Sequence, residues 1–496
     1  MMRSCLLMTA LCGVLAAPAV SAAAYRGEII PETVAARHGL TRMWYSQIQL
    51  DRARARAVHV LLDRGTLFVQ TDHATLHALD AETGQTLWAT QVGRRNHPSM
   101  RPAANRDLVA VINGSYLYIL NRHNGKLLWE TQIDGAPGAG PALSEQRAYT
   151  ACVNGLVLAY LVTSIKDPRL ELGIIQSGQT EQQAEELERD RRDSIRLQQE
   201  YEPPLTAQST GRAIVQPLVT RENEGEEYVA WPTDLGYLFV GYIDRNEQDR
   251  FSVRYRLETA AGITAQPTYL PPEAGIVGDS GVIYAASRDG YVHAIRENGG
   301  TALWRFSTGE PLVEPAVVVG KRVFSATQPG GMYCLDAKTG EQVWWCPQLL
   351  QFIAASRNRL YAVDRLGEMV VVDFNTGARL DAIPFPAQAV RMINDQNDRI
   401  YIVTATGLVQ CLREVENEAA VVHRVDFKSQ PAGPPATEQV PAEPPGAAQP
   451  GLPAAPAENP FGAPGAGGNP FGGAGAAAPG GGAAENPFGA ADNPFN

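Results

Sequence analysis

Past its first two dozen residues, this 496-residue chain has no apolar run long enough to span a bilayer. It also lacks a basic surplus. Its 42 Lys and Arg stand against 53 Asp and Glu, leaving a formal net charge of −11. That balance excludes nucleic acid and anionic membrane surfaces as partners, because no basic stripe is available to neutralise phosphate. Arg52, Arg54 and Arg56 make the tightest basic run, and they read as a solvated stretch.

Cysteine and histidine are scarce too. Cys152, Cys334, Cys346 and Cys411 are the only cysteines beyond residue 24. Hairpin register puts Cys334 opposite Val343 and not Cys346, so buried free thiols are expected in place of a disulfide. The eight histidines show no metal-ligand spacing. No Gly loop followed by Lys-Ser/Thr is present to cradle phosphate. Gly278-Asp279-Ser280-Gly281 looks like the nucleophile loop of trypsin-like proteases, yet it aligns with an ordinary strand turn and lacks a triad histidine. No catalytic, metal-binding or cofactor-binding residue is assigned.

What the chain does have is a repeat. Leu76–Trp88 recurs as Leu117–Trp129, Val292–Trp304 and Met332–Trp344, with a worn copy at Met369–Asp381. Trp88 and Trp129 are 41 residues apart, Trp304 and Trp344 are 40 apart. A period near 40 made of short alternating apolar runs and Gly turns predicts a stack of four-stranded units, a β-propeller. In the best copy the strands are Val58–Leu62, Thr66–Thr71, Thr75–Leu79 and Thr86–Val92. Asp80 and Gly84, like Asp336 and Gly340, form the last turn: Asp accepts backbone N–H bonds and Gly takes positive φ. The tryptophans cover the gap to the neighbouring unit.

Two columns set the count. The position of Ala78 reappears as Ile119, Ala159, Val240, Ala294, Cys334, Val371 and Cys411. The second strand gives Phe68, Val109, Tyr149, Tyr228, Tyr284, Phe324, Tyr361 and Tyr401. Eight blades are therefore predicted. The last has no outer strand of its own, and Met43–Ile48, with Trp44 at the repeat position, matches the outer strands ending the first two units. This N-terminal strand is expected to pair with Leu408–Leu412 and close the ring, removing exposed edges.

Three segments stand outside the repeat. Arg3 followed by an apolar run and small residues at 21–24 predicts a secretory signal peptide over 1–24, cleaved after Ala22 or Ala24. Leu11-Cys12 sits too early for a lipoprotein signal. Residues 25–427 make the propeller, broken near Thr163–Ser209 by an insertion. Its middle, Thr180–Gln199, is expected to be a helix with Thr180 and Gln183 as capping box, projecting from one face as a partner-docking arm or as a decorative loop. Residues 428–496 are rich in Pro, Ala and Gly and without Lys or Arg beyond Lys428; they predict a disordered tail. It carries Asn-Pro-Phe four times, ending at Phe461, Phe471, Phe488 and Phe495. These are candidate partner-binding handles for multivalent weak contacts. The tripeptide resembles the short ligands of Eps15-homology domains, which an exported chain does not ordinarily meet. Asn113-Gly114-Ser115 has the letters of a glycosylation site and the position of a type I′ hairpin turn.

Ala78-x-Asp80-x-x-Thr83-Gly84-x-x-x-Trp88 and its Cys334–Trp344 counterpart resemble the PQQ-type propeller repeat, over about residues 42–413. Two branches share it. Quinoprotein alcohol dehydrogenases are eight-bladed enzymes holding pyrroloquinoline quinone and calcium, typically with an adjacent Cys-Cys pair; none exists here. The compact blades resemble the BamB family instead, non-enzymatic and usually lipid-anchored propellers of the outer-membrane β-barrel assembly machinery. The resemblance implies a periplasmic, monomeric ring that binds envelope or outer-membrane proteins and needs no cofactor. A quinoprotein oxidoreductase, or an envelope component tethering neighbours through its tail, are the alternatives.

Overall fold

A computed structural model describes residues 28–165, 181–198, 202–220, 227–244 and 249–423, apart from 277, 279 and 329. The expected leader, Thr180 of the expected capping box and the tail with Phe461, Phe471, Phe488 and Phe495 lie outside the described residues. All the described elements belong to the first of two compact units, residues 1–429.

The chain folds as an eight-bladed β-propeller. In blade 1, β2 (Ala57–Asp63), β3 (Thr66–Thr71), β4 (Thr75–Asp80) and β5 (Thr86–Gln91) pair in chain order. Six further four-stranded sheets follow, ending with Leu349–Pro384 as blade 7. The eighth sheet contains Ile400–Val403, Leu408–Glu414 and β1 (Leu40–Gln47). Its first strand is reduced to a bridge between Ala389 and Thr404. Antiparallel pairing of β1 runs from Leu40 opposite Glu414 to Gln47 opposite Leu408, with Trp44 facing Cys411. Helix α1 (Glu32–Arg37) precedes it, with Ala35 packed against the last two blades.

The column that began with Ala78 holds all round the ring. Ala78, Ile119, Ala294 and Cys334 face Trp88, Trp129, Trp304 and Trp344; Ala159, Val240 and Val371 face Leu205, Tyr255 and Asp381. In the four Trp-bearing pairs a β-bulge follows at once, so Cys334 lies opposite Trp344, one residue beyond the expected Val343. The second-strand column is wrong in two blades. Ile119 pairs with Ala110, not Val109, and Val240 pairs with Ala230, not Tyr228. Blade strands are buried on both faces, so neighbouring positions offer no polar contrast from which to fix register. Val109 and Ala110 are both fully buried.

Other local expectations change as well. The insertion ends earlier than expected, because Leu205–Gln208 is the outer strand of blade 3. Helix α2 covers Glu181–Asp193, and Arg196–Leu197 is extended, pairing with Ser164–Ile165. The helix does not stand free. Asn121 donates to the Arg192 carbonyl at 2.8 Å, Asn124 donates to the Asp193 carboxylate at 2.8 Å, and Ile195 enters the core between blades 2 and 3. The Asn113 hairpin has positive φ at Gly114 and not at Ser115, the pattern of a type II′ turn. All four described cysteines are buried free thiols. Burial pushes the Cys334 thiol up to about 12.

Candidate functional site: the rim seams and the axial ring

Antiparallel strands put the turns between first and second, and between third and fourth, strands on one face of the ring. At the outer rim on that face each blade must be joined to the next. Asp80 Oδ1 accepts the N–H groups of Glu82 and Thr83 at 3.1 and 2.7 Å, and Asp336 does the same for Lys338 and Thr339. This turn presents a bare Gly and a free carbonyl to the preceding blade. Trp44 donates its indole N–H to the Ala81 carbonyl at 3.1 Å. Trp88 donates to Arg122 at 2.8 Å, Trp304 to Ala337 at 3.1 Å and Trp344 to Phe374 at 2.9 Å. Tyr255 stands in for Trp between blades 4 and 5, its hydroxyl donating to the Glu297 carbonyl at 2.6 Å. The repeat residues therefore act as blade-to-blade locks, and Trp44 locks the ring closed.

Three seams lack that lock. Trp129 makes no such bond; it packs edge-on to Tyr160, with the insertion's Leu197 beside it. Between blades 7 and 8, Asp381 replaces Trp and pairs with His38. Burial raises the Asp381 carboxyl, but the His38 and Ala382 hydrogen bonds outweigh it and hold it below the ordinary carboxylate range. Between blades 3 and 4 the position is Leu205. Phe251 fills the inner part of this seam from the blade 4 side, against Tyr149 and Trp231. Outside it, an open groove of about 700 Å³ runs between Pro204–Gln208 and Asp249–Val253. Both walls are the outermost strands of their sheets, and no further strand pairs with either among the described residues, a surface suited to an extended segment of another chain.

The second feature lies on the axis. Arg101 (blade 2) donates to Gln266 (blade 5) at 3.2 Å, Gln216 (blade 4) to the Pro102 carbonyl (blade 2) at 3.4 Å, and Arg391 (blade 8) to Glu314 (blade 6) at 2.7 Å. None of these pairs comes from neighbouring blades, so each meets at the ring centre. His59, Arg101, Gln216, Gln266, Glu314, Gln351 and Arg391 all stand at or just ahead of a first strand, and Gly140 holds the blade 3 place. The sequence reading missed this ring. Its signal was the recurrence Arg101-Pro102, Gly140-Pro141, Gln216-Pro217, Gln266-Pro267 and Glu314-Pro315. A cavity of about 250 Å³ opens beside Glu314, Gln351 and Arg391. Burial raises Glu314, and Arg391 opposes the shift. Burial lowers the His59 imidazole, partly offset by its bond to the Ser99 carbonyl.

Among the described residues no three His, Cys, Asp or Glu side chains converge as a metal site. The axial ring has one carboxylate, Glu314, and that is taken by Arg391, so these residues do not form a calcium cage. His77 and His293 occupy matching places in blades 1 and 5, both buried and both lowered chiefly by burial. No helix among the described residues is long and apolar enough to cross a membrane.

A family model described as "Outer membrane protein assembly factor BamB" matches residues 33–203 and 288–381, more than half of the chain. The chain belongs to the BamB family. BamB from Moraxella catarrhalis superposes with a TM-score of 0.52 at 13% identity, covering 77% of this chain and 99% of that one. Saccharomyces cerevisiae Sqt1 gives 0.52 at 10% identity, covering 75% and 98%. At such identities the likeness is one of fold. A quinoprotein ethanol dehydrogenase of Pseudomonas aeruginosa is 26% identical over 121 residues, 24% of this chain. The chain spans about a fifth of the length of that curated relative, 19%. The stretch of BamB-family similarity breaks off at 203 and resumes at 288, so the groove-bearing blade 4 lies outside it.

Proposed function

We propose that the protein is an exported, non-enzymatic interaction scaffold of the cell envelope that assists outer-membrane protein assembly from the periplasm. The observation that carries this reading is the unlocked seam between blades 3 and 4. The outer strands of the two blades run side by side there, and a groove of about 700 Å³ is lined by Pro204–Gln208 and Asp249–Val253. Membership of the BamB family supports the same reading, as does the leader-like N-terminus. In this reading the ring acts as a monomer.

Affinity capture from envelope extracts tests it, using the full chain and a chain lacking residues 431–496. Recovery of β-barrel assembly components by both supports the reading. Recovery lost with the tail transfers the function to the Asn-Pro-Phe handles at Phe461, Phe471, Phe488 and Phe495, as a tether. Recovery of neither class counts against both. The short stretch of identity to a quinoprotein dehydrogenase keeps an oxidoreductase as second reading. Dye-linked alcohol oxidation after adding pyrroloquinoline quinone and calcium decides it: activity above background overturns the scaffold reading.

A further inference from the structure

We propose that the cavity beside blade 7 binds a free α-amino acid with an apolar side chain, held at its two charges by Glu314 and Arg391. The cavity measures about 250 Å³. Ligand pockets usually run to roughly 300–1,000 Å³, so this one suits a single small molecule and not a peptide. Val313, Ile353, Val363, Phe385, Val390 and Met392 supply its apolar wall. It forms where the repeat is broken. The first strand of blade 8 is reduced to the Ala389–Thr404 bridge, and the connector from blade 7 lines the cavity in place of a strand.

Glu314 and Arg391 are the charged residues of that lining. Arg391 Nη1 donates to Glu314 Oε1 at 2.7 Å, and this exhausts neither partner. A carboxylate accepts at both oxygens, and Glu314 Oε2 takes no hydrogen bond among the described residues. A guanidinium has five N–H donors; one is used here, and the Arg391 side chain is 78% exposed. Gln351 stands between them on blade 7. Its amide donates to the Met392 carbonyl at 3.4 Å, which leaves its Oε1 to accept. An α-amino acid carries ammonium and carboxylate on one carbon, so it needs an acid and a base held side by side. The ammonium donates to Glu314 Oε2 and Gln351 Oε1, and the carboxylate accepts from the unused N–H groups of Arg391. The side chain then lies against the apolar wall. Burial raises the Glu314 carboxyl, a cost that a second cation beside it relieves.

The site is independent of what the rim groove binds, and its test is separate. Calorimetric titration of the full chain with L-leucine and L-phenylalanine should show saturable binding of at least one. The N-acetyl and amide derivatives of that amino acid lack the ammonium and the carboxylate, and each should bind about tenfold or more weakly. Glycine, with no side chain, and ε-aminocaproate, whose charges are far apart, should lose as much. Glu314→Gln and Arg391→Gln should each weaken binding by about tenfold or more, with melting of the unliganded variants checking that the ring is intact. No saturable binding of either amino acid, a blocked derivative that binds as tightly as its parent, or full affinity in either folded variant would overturn the assignment. Should a variant fail to fold, the derivatives decide on the unaltered protein.

Discussion

Trp88 shows how one residue does two jobs. Its ring fills the gap above Gly125, where an added Cβ would come within 2.4 Å of the indole, and its N–H satisfies the Arg122 carbonyl. Trp88→Phe keeps most of the packing and loses the bond, so it should cost about 1 kcal/mol. Trp88→Ala leaves a cavity and should cost about 3–5 kcal/mol. Gly125 sits at φ +70 as well, so Gly125→Ala suffers both backbone strain and overlap. Urea denaturation of the three variants should rank them with Phe mildest; equal losses for Phe and Ala would remove the packing argument. His77 makes a different prediction. Burial holds its imidazole pKa below 6.5, so the unfolded chain takes up the proton first. Stability is therefore full above about pH 6.5 and falls as pH drops through the folded value. Replacing His77 by Gln should lessen the loss of stability below about pH 6.5, measured by denaturation at several pH values.

At the scale of elements, β1 and the insertion decide whether the ring is closed and smooth. Seven paired positions of one blade depend on a strand more than 350 residues away in sequence, as Trp44 opposite Cys411 illustrates. Deleting residues 25–50 should expose the edge of Leu408–Glu414, lower the melting temperature and promote association through that edge. Unchanged melting and a monomeric elution profile would show that closure contributes nothing. In the insertion, Ile195 is 2% exposed within the cluster that contains Leu108 and Leu158. Ile195→Ala should cost about 2–5 kcal/mol, seen as earlier proteolysis near Asp193 under limiting protease. Cleavage kinetics like those of the unaltered protein would mean that α2 is held by its two asparagine bonds alone.

For the whole molecule, much of the architecture was written in the sequence. Period, turn chemistry and the Ala78 column required only local regularity, and each repeats about every 40 residues. Trp44 could be matched to the outer strands because its neighbours, Ser46 and Gln47, repeat Thr90-Gln91 in kind and order. Register inside a blade was less readable, since a strand buried on both faces hides the alternation that would separate Val109 from Ala110. The true end of α2 was hidden too. Ser194-Ile195-Arg196-Leu197 continues a helical pattern by letter, and only the pull of Ile195 into the blade 2–3 core turns it into strand.

The sequence by itself determined the number of blades, the four-strand unit, the Asp-Gly turns and the place of the closing strand, because each follows from spacing along the chain. Only the tertiary structure decided what meets across the ring. Arg101 and Gln266 are 165 positions apart, and no local pattern brings them together. The open seam is likewise an outcome of packing: Leu205 looks like any apolar strand residue until the partner blade shows that Phe251 fills only the inner part of the seam beside it. Closing a circle of eight repeats converts single, widely separated residues into neighbours, and that step is where the candidate sites arise.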